Sequence, residues 1–253
     1  ISKYYLNGTV NSVVLNSKSN SQQLGARFIS GDKSLLGELV MDKWDFEDSD
    51  IGIYNTEQLV KLLSVVDEDI NLSLTKAGDK SIALKVSDST SSVNYMLSDV
   101  SVINKPPQLK QIPDFHVEID VTPQFINKFI AGKGALSDTD NFTVITDGSD
   151  TKLVIGHSSV NTNRVTIPVT TSKCEDIDNV SFNANVFKEV LSANKECESA
   201  KLEVSGDGLS RITFNLKHAG PPPFIMLCLI FTKSYSFISD ICFNLSSQAM
   251  QVS

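Results

Sequence analysis

Lysine placement is the first hint of chemistry in this sequence. Amphipathic helical segments start at 56, 122 and 185, and each carries lysine opposite its apolar stripe. Lys61 lies there in the first, and Lys128 in the second with Lys133 just past its end. In the third, Lys188, Ser192 and Lys195 fall at i, i+4 and i+7 and line up on one face. An ammonium is a compact point charge without the rigid fork of a guanidinium, so it suits contact with phosphate that must not lock. Phosphate contacts carry no base sequence, and such a surface would take any duplex. Lysine is also common on solvated helices, and Glu57 and Glu189 stand close by. The lysines alone leave both readings open.

Candidates for acid–base or covalent chemistry are weaker. His116 alternates with Phe115 and Val117 and should face solvent; His157 follows Gly156 at a strand end; His218 precedes an unfamiliar tail. None stands in a GxSxG-type motif, and HExxH, P-loop and GxGxxG patterns are missing. Gly132-Lys133-Gly134 is too short to cradle a phosphate, and the acids Asp48, Asp50, Asp67, Glu68 and Asp69 fall at turns, where carboxylates are solvated. Cys174, Cys197, Cys228 and Cys242 contain no CxxC pair, which argues against a zinc knuckle and for reduced thiols. The expectation is a protein that is not an enzyme, with no cofactor and no metal.

The elements that would position the lysines recur. Each unit is a short helix, an alternating strand, a Gly/Asp turn and a second alternating strand. The turns are Ala77-Gly78-Asp79, Asp147-Gly148-Ser149-Asp150 and Gly206-Asp207-Gly208, and the helix starts are 66 and then 63 residues apart. A near-constant period means one packing unit used repeatedly, which points to architecture as the function. The helices bury Leu59, Leu62, Leu63 and Val66; Phe125, Ile126, Phe129 and Ile130; and Val186, Phe187, Val190 and Leu191. Thr122 and Pro123 make a good N-cap and first helical residue. Period-two alternation elsewhere, as at Val93, Tyr95 and Leu97, predicts half-buried antiparallel strands. Together these give an α+β fold with helices on one face of antiparallel sheets.

The 253-residue chain is 41% hydrophobic with a net charge of −8. Bulk charge argues against a simple basic nucleic-acid binder but not against a small basic surface within an acidic molecule. The apolar run 224–231 is too short to cross a bilayer as a helix and reads as a buried strand, so no membrane partner is expected. The chain opens at Ile1, which suggests a fragment or processed product.

The segment 46–66, the linker with Asn104-Lys105-Pro106, the strand from Phe115 and the helix 122–131 resemble the sliding clamps of T-even-type bacteriophages, members of the PCNA-like clamp superfamily. The order of elements is similar from about 7 to 217. The resemblance implies a DNA polymerase processivity factor. Three identical subunits, each of two similar clamp-type domains, would close into a ring around double-stranded DNA, with helices lining the hole and sheets forming the wall. It implies a DNA-facing role for Lys61, Lys128, Lys133, Lys188 and Lys195, and three partners: the replicative polymerase, an ATP-dependent clamp loader and further copies of the chain. It also implies action in the cytoplasm of an infected host cell. The two domains would span 1–105 and 114–253, with a Pro-rich linker at 106–113. Ring closure needs edge strands that pair between subunits; these are expected at 92–97, marked by Tyr95, and at 160–169, marked by Val160 and suited by Pro168.

Two departures stand out. Residues 1–10 do not read as the family's first helix, and 218–253, with three prolines and a Ser-rich end, does not read as its last strand. A reading-frame change in the source gene would explain the tail. A non-enzymatic β-rich phage structural or adhesion module is the rival reading.

Overall fold

The helical and alternating periods of the sequence resolve into the elements expected, plus one unit that periodicity did not reveal. The computed structural model describes residues 1–67, 69–107, 112–160, 162–197, 199–216 and 224–232. A helical turn, α1 (Ser2–Tyr5), runs through a 3-10 turn (Leu6–Gly8) into β1 (Val13–Lys18), β2 (Gln23–Ile29), β3 (Leu35–Asp42) and β4 (Ser49–Ile53). Then come α2 (Thr56–Leu63), β5 (Asn71–Ala77), β6 (Lys80–Ser87) and β7 (Ser92–Met96). The second half holds β8 (Val117–Val121), α3 (Pro123–Ala135), β9 (Asn141–Thr146), β10 (Thr151–Ile155), β11 (Val165–Val169), β12 (Thr171–Cys174) and β13 (Val180–Asn183). It closes with α4 (Ala184–Ala193), β14 (Ser199–Val204), β15 (Leu209–Leu216) and β16 (Phe224–Phe231).

All three anticipated units form: α2–β5–β6, α3–β9–β10 and α4–β14–β15. A fourth, α1–β1–β2, opens the chain. Its helical part is one turn, with Leu6 and Asn7 in left-handed backbone at φ 47° and 52°, so it has no 3.6-residue period to detect. Burial of Tyr4 and Leu6 holds it in place. The N-terminal element that 1–10 did not show as sequence is therefore helical.

The strands form three antiparallel sheets. The nine-stranded sheet has the order β12-β8-β14-β15-β16-β3-β2-β1-β4; the others are β11-β10-β9-β13 and β5-β6-β7. The two halves repeat one plan. β3-β2-β1-β4 matches β11-β10-β9-β13, and β5-β6-β7 matches β14-β15-β16. The halves are stitched at β16, where Cys228 lies opposite Ile212 of β15 and Gly37 of β3. The apolar run is therefore a strand, as expected, and it supplies the last strand that the unfamiliar tail put in doubt. Residues 217–223 and 233–253 of that tail, with His218 and Cys242, lie outside the described residues, as do 108–111 of the linker. Before that gap, the Arg27 guanidinium donates to the Pro107 carbonyl at 2.8 Å and ties the connector to β2.

One core runs through both halves. Its densest part lies beneath α3 and α4. The Phe129 ring meets Phe142 and Phe187 edge-on at 5.2 and 4.8 Å, and Phe142 stacks on Phe187 at 4.8 Å. Each ring is fully buried, and such burial is worth about 1.5–3 kcal/mol, with about 0.5–1.5 kcal/mol more for each favourable ring pair. This cluster fixes the two helices on the four-stranded sheet and so sets where their outer faces point.

Candidate nucleic-acid interface

Capping starts each helix where the sequence places it. The Asn55 side chain accepts from Gln58 N at 2.9 Å, Thr122 Oγ1 from Phe125 N at 3.2 Å, and Asn183 Oδ1 from Asn185 N and Val186 N at 2.9 and 3.0 Å. These bonds satisfy amides that have no partner within the helix. Leu59, Ile126, Phe129, Phe187, Val190 and Leu191 are wholly buried, as the apolar stripes require. α3 packs on α4, and α4 packs on the N-terminal 3-10 turn, so the helical elements of the two halves meet. The Lys3 ammonium joins them further by donating to the Ala193 carbonyl and the Glu196 carboxylate.

Four of the five lysines stand on the open side of the helices. Lys61 and Lys128 are exposed, Lys188 is half-buried, and Lys195 is exposed just beyond α4. Lys61 pairs with Glu57 one turn earlier at 2.6 Å, and Lys188 Nζ lies 3.4 Å from Glu189. The hydrogen bond from Lys61 holds the Glu57 carboxyl below its ordinary range, and Glu57 raises Lys61 in return. Among the described residues no carboxylate pairs with Lys128 or Lys195.

Lys133 departs from expectation. It is 4% exposed, and its ammonium donates to the carbonyls of Leu136 and Ser137 at 3.2 and 2.8 Å. Those carbonyls lie at the C-terminal end of α3, where a helix leaves acceptors unpaired and the dipole favours a cation. Lys133 therefore caps the helix and is withdrawn from any DNA-facing surface. The error came from its position just past the helix as read to 131; the helix runs four residues further, to Ala135, and so includes Lys133.

The strands assigned to subunit contact are edges, but their marker residues are not the ones that point outwards. β7 and β11 each end their sheet. Tyr95 is 5% exposed, and its hydroxyl both accepts from Asn55 N at 3.2 Å and donates to Asn55 O at 3.1 Å. It faces inwards with Val93 and braces the start of α2, whereas Ser92, Asn94 and Met96 face outwards. Val160 is 65% exposed but sits in a bend before β11 and belongs to no strand. Pro168 lies opposite Lys152 on the β11 edge, where a missing donor is tolerated.

Asp48 and His116 are engaged in local structure. Asp48 accepts from Ser19 N and Oγ, and the Asp67 amide donates to Asp88. His116 Nδ1 accepts from Gly206 N at 3.1 Å. Glu68 lies outside the described residues. Among the described residues no three His, Cys, Asp or Glu side chains gather as a metal site.

No family model and no curated protein matches the sequence. Solved structures do match the fold. Proliferating Cellular Nuclear Antigen (PCNA) from Entamoeba histolytica superposes with a TM-score of 0.66 at 16% identity, covering 90% of this chain and 91% of that one. The PCNA2–PCNA3 complex from Sulfolobus tokodaii gives 0.67 at 13% identity over 90% and 92%. A. fulgidus PCNA, solved with the C-terminal region of FEN-1 bound, gives 0.68 at 13% identity over 87% and 89%. The doubled plan of helices and antiparallel sheets found here is the fold of the PCNA-type sliding clamps.

Proposed function

We propose that the chain is a DNA sliding clamp, which encircles duplex DNA without sequence preference and tethers a replicative DNA polymerase to it. The observation that carries this is the internal seam. β16 of the second half pairs with β3 of the first, and in the repeated plan β7 stands where β16 stands and β11 where β3 stands. Both are open edges, so the bond that unites the halves can be repeated between chains, β7 of one copy against β11 of the next. This contact is head-to-tail, and such contacts generate closed rings when the rotation per subunit divides the circle.

The helix faces support the same reading. In an acidic chain, Lys61, Lys128, Lys188 and Lys195 lie on the open side of the helices. Contact with phosphates there is weak and salt-sensitive. Retention would come from enclosure, and the tethered polymerase would rebind at high effective concentration. Three copies per ring, an ATP-driven loader, and action in a phage-infected cell follow from the sequence resemblance to T-even-type clamps.

The test is topological. The protein is allowed to thread onto linear duplex DNA, and both ends are then blocked with bulky caps. A ring stays through a high-salt wash and is released when the duplex is cut. Loss in the wash from capped DNA, or retention that cutting does not abolish, overturns the proposal.

A further inference from the structure

The lysines on the helix faces fall into two classes. Lys61 and Lys188 each hold a carboxylate of their own helix, Glu57 at 2.6 Å and Glu189 at 3.4 Å. Lys128 and Lys195 have no such partner among the described residues. A phosphate approaching Lys61 or Lys188 must displace a carboxylate already in place, and that carboxylate repels it. Among the described residues, a phosphate approaching Lys128 or Lys195 meets an ammonium to which no carboxylate is bonded. Glu57 stands on the outer side of its helix, 57% exposed at the side chain, whereas Glu189 is partly covered at 21%.

We infer that Glu57 and Glu189 are built-in competitors for the DNA backbone, which limit the friction between the protein and its track. This rests on the encircling function proposed above. A ring held by topology gains nothing from tight phosphate contacts, because each contact is a barrier to the next step along the duplex. A neighbouring carboxylate makes such a contact shallow while leaving the lysine in place. Lys128 and Lys195 then supply most of the attraction, and Lys61 and Lys188 mainly keep the surface from becoming acidic.

The test compares the intact protein with the Glu57→Gln/Glu189→Gln variant on end-capped duplex DNA. One measurement is the diffusion coefficient along the DNA; the other is the salt dependence of binding to a short, open duplex. Release of the two lysines is expected to slow diffusion several-fold. It should also steepen the slope of log K against log salt by up to about 0.9 for each lysine released. In the wild-type background, Lys61→Ala/Lys188→Ala is expected to change that slope far less than Lys128→Ala/Lys195→Ala. Equal diffusion and equal slopes in wild type and the glutamine variant, with wild type retained on capped DNA, overturn the inference alone. Failure of the wild type to remain on capped DNA overturns the encircling function, and the inference with it. A thermal melt shows that each variant is folded.

Discussion

A β-carbon on Gly37 would lie 2.2 Å from the ring of Phe28, its cross-strand partner, so the phenyl ring fills the space above the glycine. Phe28 is 1% exposed and packs against Tyr4 of the N-terminal turn, which leaves the ring no room to retreat. Gly37 also faces Cys228 across the seam. Gly37→Ala should therefore overpack the join between the halves and cost about 1–3 kcal/mol. Urea denaturation checks this; an unchanged midpoint would mean that the ring has another place to go.

Cys228 reports on the same seam. It has no exposed surface, and burial pushes its thiol far above the ordinary range. In native buffer, alkylation followed by mass spectrometry should modify the half-buried Cys174 well before Cys228. Cys228 should react only as denaturant separates β16 from β3. Equal rates in buffer would show that the seam opens readily.

Lys133 and Lys128 lie five residues apart on α3 and should behave in opposite ways. Lys133→Ala removes the cation that caps two carbonyls and should cost roughly 1–3 kcal/mol of stability while leaving the salt dependence of DNA binding unchanged. Lys128→Ala should leave stability within about 0.5 kcal/mol and lower the salt slope by about 0.9. Paired melting and binding titrations separate the two.

Two turn carboxylates give the fold an acid limit. Asp88 is lowered from 3.8 to about 2 by bonds from the backbone amides of Asp67, Thr90 and Ser91. Asp147 is lowered to about 2 by the Asp150 amide and the Ser149 hydroxyl and amide. A carboxylate with a depressed folded pKa stabilises the fold above its unfolded pKa, and that contribution is lost as pH falls through the folded value. Stability should therefore decline between pH 3.8 and about 2. Asp88→Asn should be less stable than wild type at pH 6 and lose less on acidification, as denaturant midpoints across that range will show.

The open edges can be tested chemically. Asn94 on β7 and Thr166 on β11 are exposed, next to residues that enter the core. Cysteines at both positions, Asn94→Cys with Thr166→Cys, should give a covalent closed multimer on mild oxidation. Tyr95→Cys with Val160→Cys should not, because Tyr95 faces inwards and Val160 lies off the strand. The reverse result would move the subunit contact elsewhere.

The parts legible in the sequence were those with a period. Eight to thirteen helical residues carrying a buried stripe, and strands with every second residue apolar, left a pattern at α2, α3, α4, β5 to β11, β14 and β15, whereas the four-residue β12 and β13 were too short to show one. The N-terminal turn was too short to do so, and its place is fixed by Tyr4 and Leu6 meeting residues far along the chain. The strand at 224–231 was legible as an element, but its role was not. Pairing with β3 depends on a partner nearly two hundred residues away, and no local signal encodes it. Among the site residues, spacing identified Lys61, Lys128 and Lys188 as outward-facing; Lys195 is exposed, but α4 ends at Ala193, so the helical register that aligned it with Lys188 and Ser192 does not reach it. Spacing misplaced Lys133 because the extent of α3 decides whether that side chain lies beyond the helix or caps it. Lys3 escaped notice because its helix did.

The stitching of β3 to β16 has a consequence for the order of synthesis. On the ribosome β3 is made early, and its partner emerges only after some 180 further residues. Throughout that interval the nascent chain presents a bare strand edge able to pair with a neighbouring chain on the same messenger. Zippering of β16 onto β3 is thus a late step in folding of the chain, and it is during this wait that holding factors would matter most for yield.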